Sequence, residues 1–195
     1  MVLSIKDMIS RYYNNSSHPE EVRRLCVMIF DKIIDKVEEL PNNQRKYLEA
    51  AALLHDIGYY LGSKKHNIYS QRLIIETGLK EFTIRETEII ACICRYHRGS
   101  LPNKKKDEIY KNFNKEERKI IKRLGGILRI ADGIDRAHLS LIKEVKLNFD
   151  ENNRIVEFIL TTNNPEYRPD ITYAIKKREL FEKGFKCQCI FKFQT

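Results

Sequence analysis

A single apolar stripe limits what this chain can become more than any other feature. Val22, Leu25, Cys26, Ile29, Phe30, Ile33, Val37 and Leu40 recur every three or four positions. That is the spacing of one face of an α-helix, whereas the buried face of a strand repeats every second residue. Ser17-His18-Pro19-Glu20 has the S-x-x-E spacing of a capping box where this helix opens, and Pro41 closes it.

Other helices surround it in the sequence. A short one is expected from about Leu3 to Tyr13, and another from Gln44 to His55-Asp56, with Gly58 as its stop. Two more are expected near Asn67 to Glu76 and near Thr83 to Tyr96, the second opened by Thr83 with Glu86. After the polar stretch LPNKKKDE, Asn114 with Glu117 opens a long basic helix running through Leu139. Gly125-Gly126 inside it lacks the flanking pattern of a phosphate loop and reads as close helix packing. From about Ile142 the period changes to two. VKLNFD and RIVEFILTT, separated by Glu151-Asn152-Asn153, read as a hairpin, followed by a helix from Ile171 to Glu182 and a strand, KCQCIFKF. The expected fold class is mainly α: a helical bundle over residues 1–142, then a small α+β unit of β-β-α-β order over residues 143–195.

Charge and composition narrow the partners. Lys and Arg total 36 against 27 acids, a formal charge of +9, which attracts nucleotides, polyphosphate or nucleic acid. A chain rich in Lys, Asn and Ile reaches the same balance without any partner, so the placement of the charges has to decide. No nucleic-acid motif is present, and nucleic acid is not an expected partner. No apolar run approaches the ~18 residues of a membrane span, and Lys6-Asp7 interrupts the start where a signal peptide is apolar. The expected place is the cytoplasm, with no membrane partner; a homodimer stays open. The five cysteines, with Cys92/Cys94 and Cys187/Cys189 in C-x-C spacing, read as reduced core thiols.

Chemistry concentrates on the histidines. His18 opens a helix, His55 ends one, His66 follows in a loop and His97 ends another. At a helix terminus the adjacent His55 and Asp56 can turn toward one point and offer a nitrogen and an oxygen. Asp132, beside Gly133 on a separate helix, can close such a site, as can His18. A mixed N/O set suits Mn, Fe, Co, Ni, Zn or Mg. The plainer alternative makes His55 and Asp56 a hydrogen-bonded capping pair. His138 reads as a cap or supporting residue. Tyr59 and Tyr60 read as packing against a neighbouring helix, or as covers for a substrate base.

The order H…HD…D on different helices resembles the HD superfamily of metal-dependent phosphohydrolases. More narrowly, LLHDIGYYLGSKKH, EIIACICRYHRGSLP, ILRIADGIDRAH and ITYAIKKRELFEKGF are similar to the C-terminal, HD-type region of the exopolyphosphatase/guanosine pentaphosphate phosphohydrolase family. The resemblance covers nearly the whole chain. It implies an HD-domain helical bundle, free-standing and without the actin-like ATPase domain of the long enzymes. It also implies one divalent metal on His18, His55, Asp56 and Asp132, with His55 and Asp56 at the catalytic centre. His66 and His97 match positions of a second metal or its surroundings, but Asn67 and Tyr69 stand where further histidines are expected, which argues against a second ion. The implied activity is hydrolysis of a phosphate ester or phosphoanhydride in a nucleotide or polyphosphate, the metal polarising a phosphoryl oxygen and acidifying a water. Lys64, Lys65, Arg98, Arg129 and Arg136, each near a proposed ligand in sequence, are expected to bind the phosphate. The alternative function is a non-catalytic polyphosphate- or polyanion-binding module.

Overall fold

The computed structural model describes residues 2–13, 17–164 and 166–194. Its helices are α1 (Ile5–Tyr12), α2 (Ser17–Lys36), α3 (Asn42–Leu54), α4 (His66–Thr77), α5 (Ile84–Arg95), α6 (Glu108–Lys111) and α7 (Lys115–Ile134), with a 3-10 turn at Ile57–Tyr60. There follow β1 (Ile142–Asp150), β2 (Ile155–Thr162), α8 (Thr172–Lys177), α9 (Glu179–Phe185) and β3 (Gln188–Phe193). The protein is mainly α with a small β-β-α-β unit, as the periodicity predicts. Among the described residues no helix is long and apolar enough to cross a membrane.

Local chemistry accounts for the element ends. Thr83 with Glu86, and Asn114 with Glu117, each make both bonds of a capping box. The helix of the apolar stripe already includes Ser17, the residue expected to cap it, and residues 14–16 before it lie outside the described residues. Two expected boundaries are corrected. The long basic helix stops at Ile134 rather than running through Leu139, because the Asp135 carboxylate accepts from the Ser140 backbone N–H while His138 and Ser140 take left-handed backbone angles. The expected helix from Ile171 to Glu182 divides at Arg178, whose N–H reaches back three residues to Ile175 O at 3.5 Å instead of four.

β1 and β2 pair antiparallel, Glu144 with Thr161 through Asp150 with Ile155, and α8 and α9 cross over to β3, which runs parallel to β2. Val145, Leu147, Val156, Phe158, Leu160 and Cys189 point from one face of this sheet into the apolar cluster that also holds Leu25, Ile29 and Phe30 of α2. Arg24 ties the layers by donating to the Ile142 and Lys143 carbonyls. All five cysteines are buried free thiols.

Glycines on α7 set how closely the last two helices approach. A Cβ at Gly126 would lie 2.5 Å from Phe181 Cα, and one at Gly133 would lie 2.6 Å from Ala174 Cα. Both contacts are to backbone, so nothing flexible can yield. The α8–α9 segment therefore lies directly on α7, antiparallel to it. Gly125 differs: its Cβ would meet the end of the Leu180 side chain at 3.2 Å and Tyr96 Cβ at an ordinary 3.8 Å. Gly126→Ala is accordingly expected to lower unfolding free energy by about 1–3 kcal/mol through overpacking. Gly125→Ala should stay within about 1 kcal/mol of the parent, since helix propensity gains about as much. Chemical denaturation of the two variants checks the contrast; equal effects would show that the seam yields.

Candidate metal centre

Six elements bring the candidate ligands to one place. His18 is the second residue of α2, His55 follows α3, Asp56 precedes the 3-10 turn, His66 is the first residue of α4, His97 follows α5, and Asp132 lies in the last turn of α7. Gly58 permits this convergence. A Cβ there would fall 1.9 Å from the His66 carbonyl oxygen, so only glycine lets α4 sit against the turn after Asp56. Ser70 of α4 locks the junction, accepting from the Gly58 N–H at 2.9 Å and donating to the His55 carbonyl at 2.6 Å.

Every one of these histidines is held by its Nδ1–H. His18 donates to Asp135 Oδ2 at 2.7 Å, His55 to Ala52 O at 2.7 Å, His66 to Ser63 O at 2.9 Å and His97 to Cys94 O at 2.7 Å. A histidine that donates through Nδ1 has its ring orientation fixed and, in its neutral form, presents an unprotonated Nε2 as a ligand. The four Nε2 atoms face two carboxylates. His18 Nε2 lies 3.5 Å and His55 Nε2 3.9 Å from Asp132 Oδ1, and His55 Nε2 is 3.4 Å from Asp56 Oδ2. On the other side of Asp56, His66 and His97 stand 3.3 and 3.7 Å from Oδ1. His18, His55 and Asp56 form one set able to hold a metal ion, and Asp56, His66 and His97 a second, with Asp56 common to both. The second set uses neither Asn67 nor Tyr69; Asn67 instead donates to the Arg95 carbonyl at 2.7 Å.

The residues suit a divalent cation on the evidence of their own unmet bonding. The Nε2 atoms of His18 and His55 are buried without a hydrogen-bond partner among the described residues, a costly state for a polar atom that a cation relieves. His55 caps α3 through Nδ1 on Ala52 O and turns Nε2 inward, 3.4 Å from Asp56 Oδ2. Electrostatics agrees. Burial disfavours a charged His18, but the facing carboxylates of Asp132 and Asp135 outweigh it and raise its pKa to about 9. Burial likewise opposes ionisation of Asp132, yet His18, Lys177 and the other histidines hold that carboxyl well below the usual range. His97, desolvated and beside His55, is pushed down to about 3 and stays neutral.

A narrow cleft, about 70 Å³ in volume, opens over the centre. Arg98, Arg136 and Lys177 line it with Tyr59, His138 and Tyr173. Tyr59 stacks on His66 with ring centres 4.0 Å apart, and His138 stacks on His18 at 3.7 Å. Arg136 lies on the turn after α7, not on a helical face shared with Asp132, and its guanidinium rests over Tyr173. Three expected phosphate-binding residues are placed otherwise. Arg129 is buried, donating to the carbonyls of Tyr96 at 3.2 Å and Gly99 at 3.0 Å, and so holds the turn that carries His97 and Arg98. Lys64 and Lys65 are exposed on the turn before α4 and do not line the cleft.

The sequence does not single out two groups at this centre. Asp135 lies in the quoted IADGIDRAH motif, only three residues from Asp132, and its role in fixing the His18 ring was readable as a carboxylate–histidine pair. Lys177, whose ammonium bonds Asp132 Oδ2, lies 45 residues from that carboxylate in sequence and carries no local signal.

Two outcomes follow for metal binding. His18 is raised from 6.5 to about 9, so its pairing stabilises the metal-free protein fully below pH 6.5, and this contribution is lost as pH rises through 9. A bound ion must displace that proton, so affinity should rise with pH across this window and binding should release protons. Calorimetry in buffers of different ionisation enthalpy measures both; proton-neutral binding would place the ion away from His18. Asp135→Asn, which removes the charged acceptor behind His18, should weaken metal affinity by about 10–100-fold with the fold intact, as read by metal titration and circular dichroism.

Comparison with known proteins adds an independent finding. No curated protein matches the chain. A family model, Ppx/GppA phosphatase, domain III, matches residues 2–171, a span that contains every candidate ligand described above but ends before Lys177. With most of its length matched, the chain belongs to the Ppx/GppA phosphatase domain III family.

Proposed function

We propose that this chain is an HD-type, metal-dependent phosphohydrolase that cleaves a phosphate ester or phosphoanhydride of a nucleotide or polyphosphate. The observation that carries this reading is the set of four imidazoles whose Nδ1–H groups are all committed to fixed acceptors while their Nε2 atoms converge on Asp56 and Asp132. A module that only bound polyanions would need no buried carboxylates at its centre. Membership of a phosphatase family supports a hydrolase acting on phosphate-rich anions.

In this reading His18, His55, Asp56 and Asp132 hold a divalent cation, with His66 and His97 sharing Asp56. When bound, such a cation supplies positive charge to a phosphoryl oxygen and lowers the pKa of a water. The chain's own residues do the remainder. Arg98 and Arg136 reach the cleft with planar forks suited to two phosphate oxygens at once. Lys177 neutralises Asp132 and adds a third cation at the wall. The cleft is far below the ~300–1,000 Å³ of a site that encloses a whole small molecule, so it accepts a terminal phosphoryl group end-on while the rest of the substrate stays outside.

The experiment is metal analysis of protein purified without chelator, paired with phosphate release from nucleotides, polyphosphate and model esters. Asp56→Ala should abolish both metal retention and phosphate release while the thermal transition persists. Retained hydrolysis in that variant overturns the assignment. Arg136→Ala should raise KM for a polyphosphate or nucleotide substrate by about tenfold, on the scale of ~1.4 kcal/mol for one lost charge-assisted contact, and should leave metal content unchanged.

A further inference from the structure

Each supporting contact at the metal centre, with one exception, makes a ligand better. Asp135 and the carbonyls of Ala52, Ser63 and Cys94 stand behind the four histidines, and an acceptor behind an imidazole raises its power to donate to a metal. The exception is Lys177. Its ammonium bonds Asp132 Oδ2, and a cation on a carboxylate draws away electron density that a metal would use and repels the metal itself. Asp132 Oδ1 meanwhile faces Nε2 of His18 at 3.5 Å and of His55 at 3.9 Å. The ligand atoms close enough to share one ion come from His18, His55 and Asp56, and among the described residues Asp132 is not in that set. Asp132 is thus a candidate ligand whose carboxylate is already held by a cation of the chain's own.

We propose that Lys177 is a place-holder: its ammonium occupies Asp132 until a divalent cation takes that carboxylate, and then turns to a phosphoryl oxygen in the cleft. The first half concerns the metal centre alone; the second rests on the hydrolase reading. Position makes the exchange possible. Lys177 is the last residue of α8, and the backbone of that helix is fixed where Ala174 lies against Gly133. The ammonium is carried on a flexible four-carbon stem, and the side chain, 16 % exposed, lines the same cleft as Arg98 and Arg136. Leaving Asp132 therefore needs only rotations within the side chain. An apolar residue at this place would leave Asp132 without its ammonium in the metal-free protein, and a buried carboxylate that loses a partner destabilises the fold. Lysine answers both states. It keeps Asp132 paired when no ion is present, and it adds a positive charge beside the two arginines once the ion is.

The test is calorimetric titration of Mn2+ into the full chain after chelator treatment, at one fixed pH. K177M should bind the ion about tenfold more tightly than the parent, because the repelling charge is gone, while its metal-free form unfolds at a lower temperature. K177Q, which keeps a hydrogen-bond donor for Asp132 without the charge, should tighten binding as well, and decides the matter should K177M not fold. K177R keeps the charge and the bond and should stay within about threefold of the parent. K176M removes a charge from the neighbouring exposed residue and should stay within about twofold. Binding by the uncharged variants that is unchanged or weaker, or equal tightening in K176M, overturns the proposal. Inorganic phosphate titrated into the Mn2+-loaded proteins reads the second half. K177M should bind it about tenfold more weakly than the parent although it holds the ion more tightly; unchanged phosphate affinity overturns that half. A parent that takes up no Mn2+ overturns this inference and the hydrolase reading together, whereas a parent that takes it up no less tightly than K177M overturns this inference alone.

Discussion

Two carboxylates, Asp56 and Asp132, are buried at the junction of the helices, at 5 % and 7 % exposure, and the rest of the molecule is arranged to make that tolerable. An isolated buried carboxylate costs several kcal/mol. Here the compensation comes from imidazoles on four elements and from one ammonium, Lys177. Each compensating group is itself fixed from behind: Asp135 steadies His18, backbone carbonyls steady the other three histidines, and Ser70 pins the turn that carries His55 and Asp56. The balance is incomplete, because His18 and His55 still have Nε2 atoms without a partner. The fold thus keeps two inward-facing Nε2 atoms beside two carboxylates, a donor set of the kind that can hold a divalent cation.

That centre depends on backbone contacts made far from it in sequence. The α8–α9 segment reaches α7 closely enough to place Lys177 on Asp132 only because Gly126 and Gly133 expose bare backbone. The small C-terminal unit is therefore more than a covering for the helices. It contributes Tyr173 and Lys177 to the cleft wall, and its sheet shares an apolar cluster with α2.

The sequence made most of the architecture legible because its signals were local. The 3.6-residue stripe of α2, the capping boxes at Thr83 and Asn114 and the two-residue period of β1 and β2 each decide an element from neighbours a few residues apart. His18, His55, Asp56 and Asp132 could be brought together by their order and by their positions at helix ends. What escaped depends on tertiary context. Arg129 looks like Arg136 in sequence, yet its side chain is turned inward to hold the His97 turn. Lys64 and Lys65 are near His66 along the chain but not across the cleft. The early end of α7 was hidden because Asp135 abandons the helix to serve both Ser140 and His18.

The distribution of charge follows the same division between what is near in sequence and what is near in space. A net +9 invites the idea of one positive field focused on the chemistry, but the cleft carries only Arg98, Arg136 and a Lys177 already engaged by Asp132. That restraint has a physical reason. Cations crowded against four histidines would drive the imidazoles further from protonation but would also repel an incoming metal ion, so a dense basic rim and a cation site oppose each other. Placing the surplus lysines on the other half of α7, about 20 Å away along the helix, removes the conflict. One helix thereby carries the buried Asp132 carboxylate at one end and exposed lysines at the other, and the two charges can each be strong because they are apart.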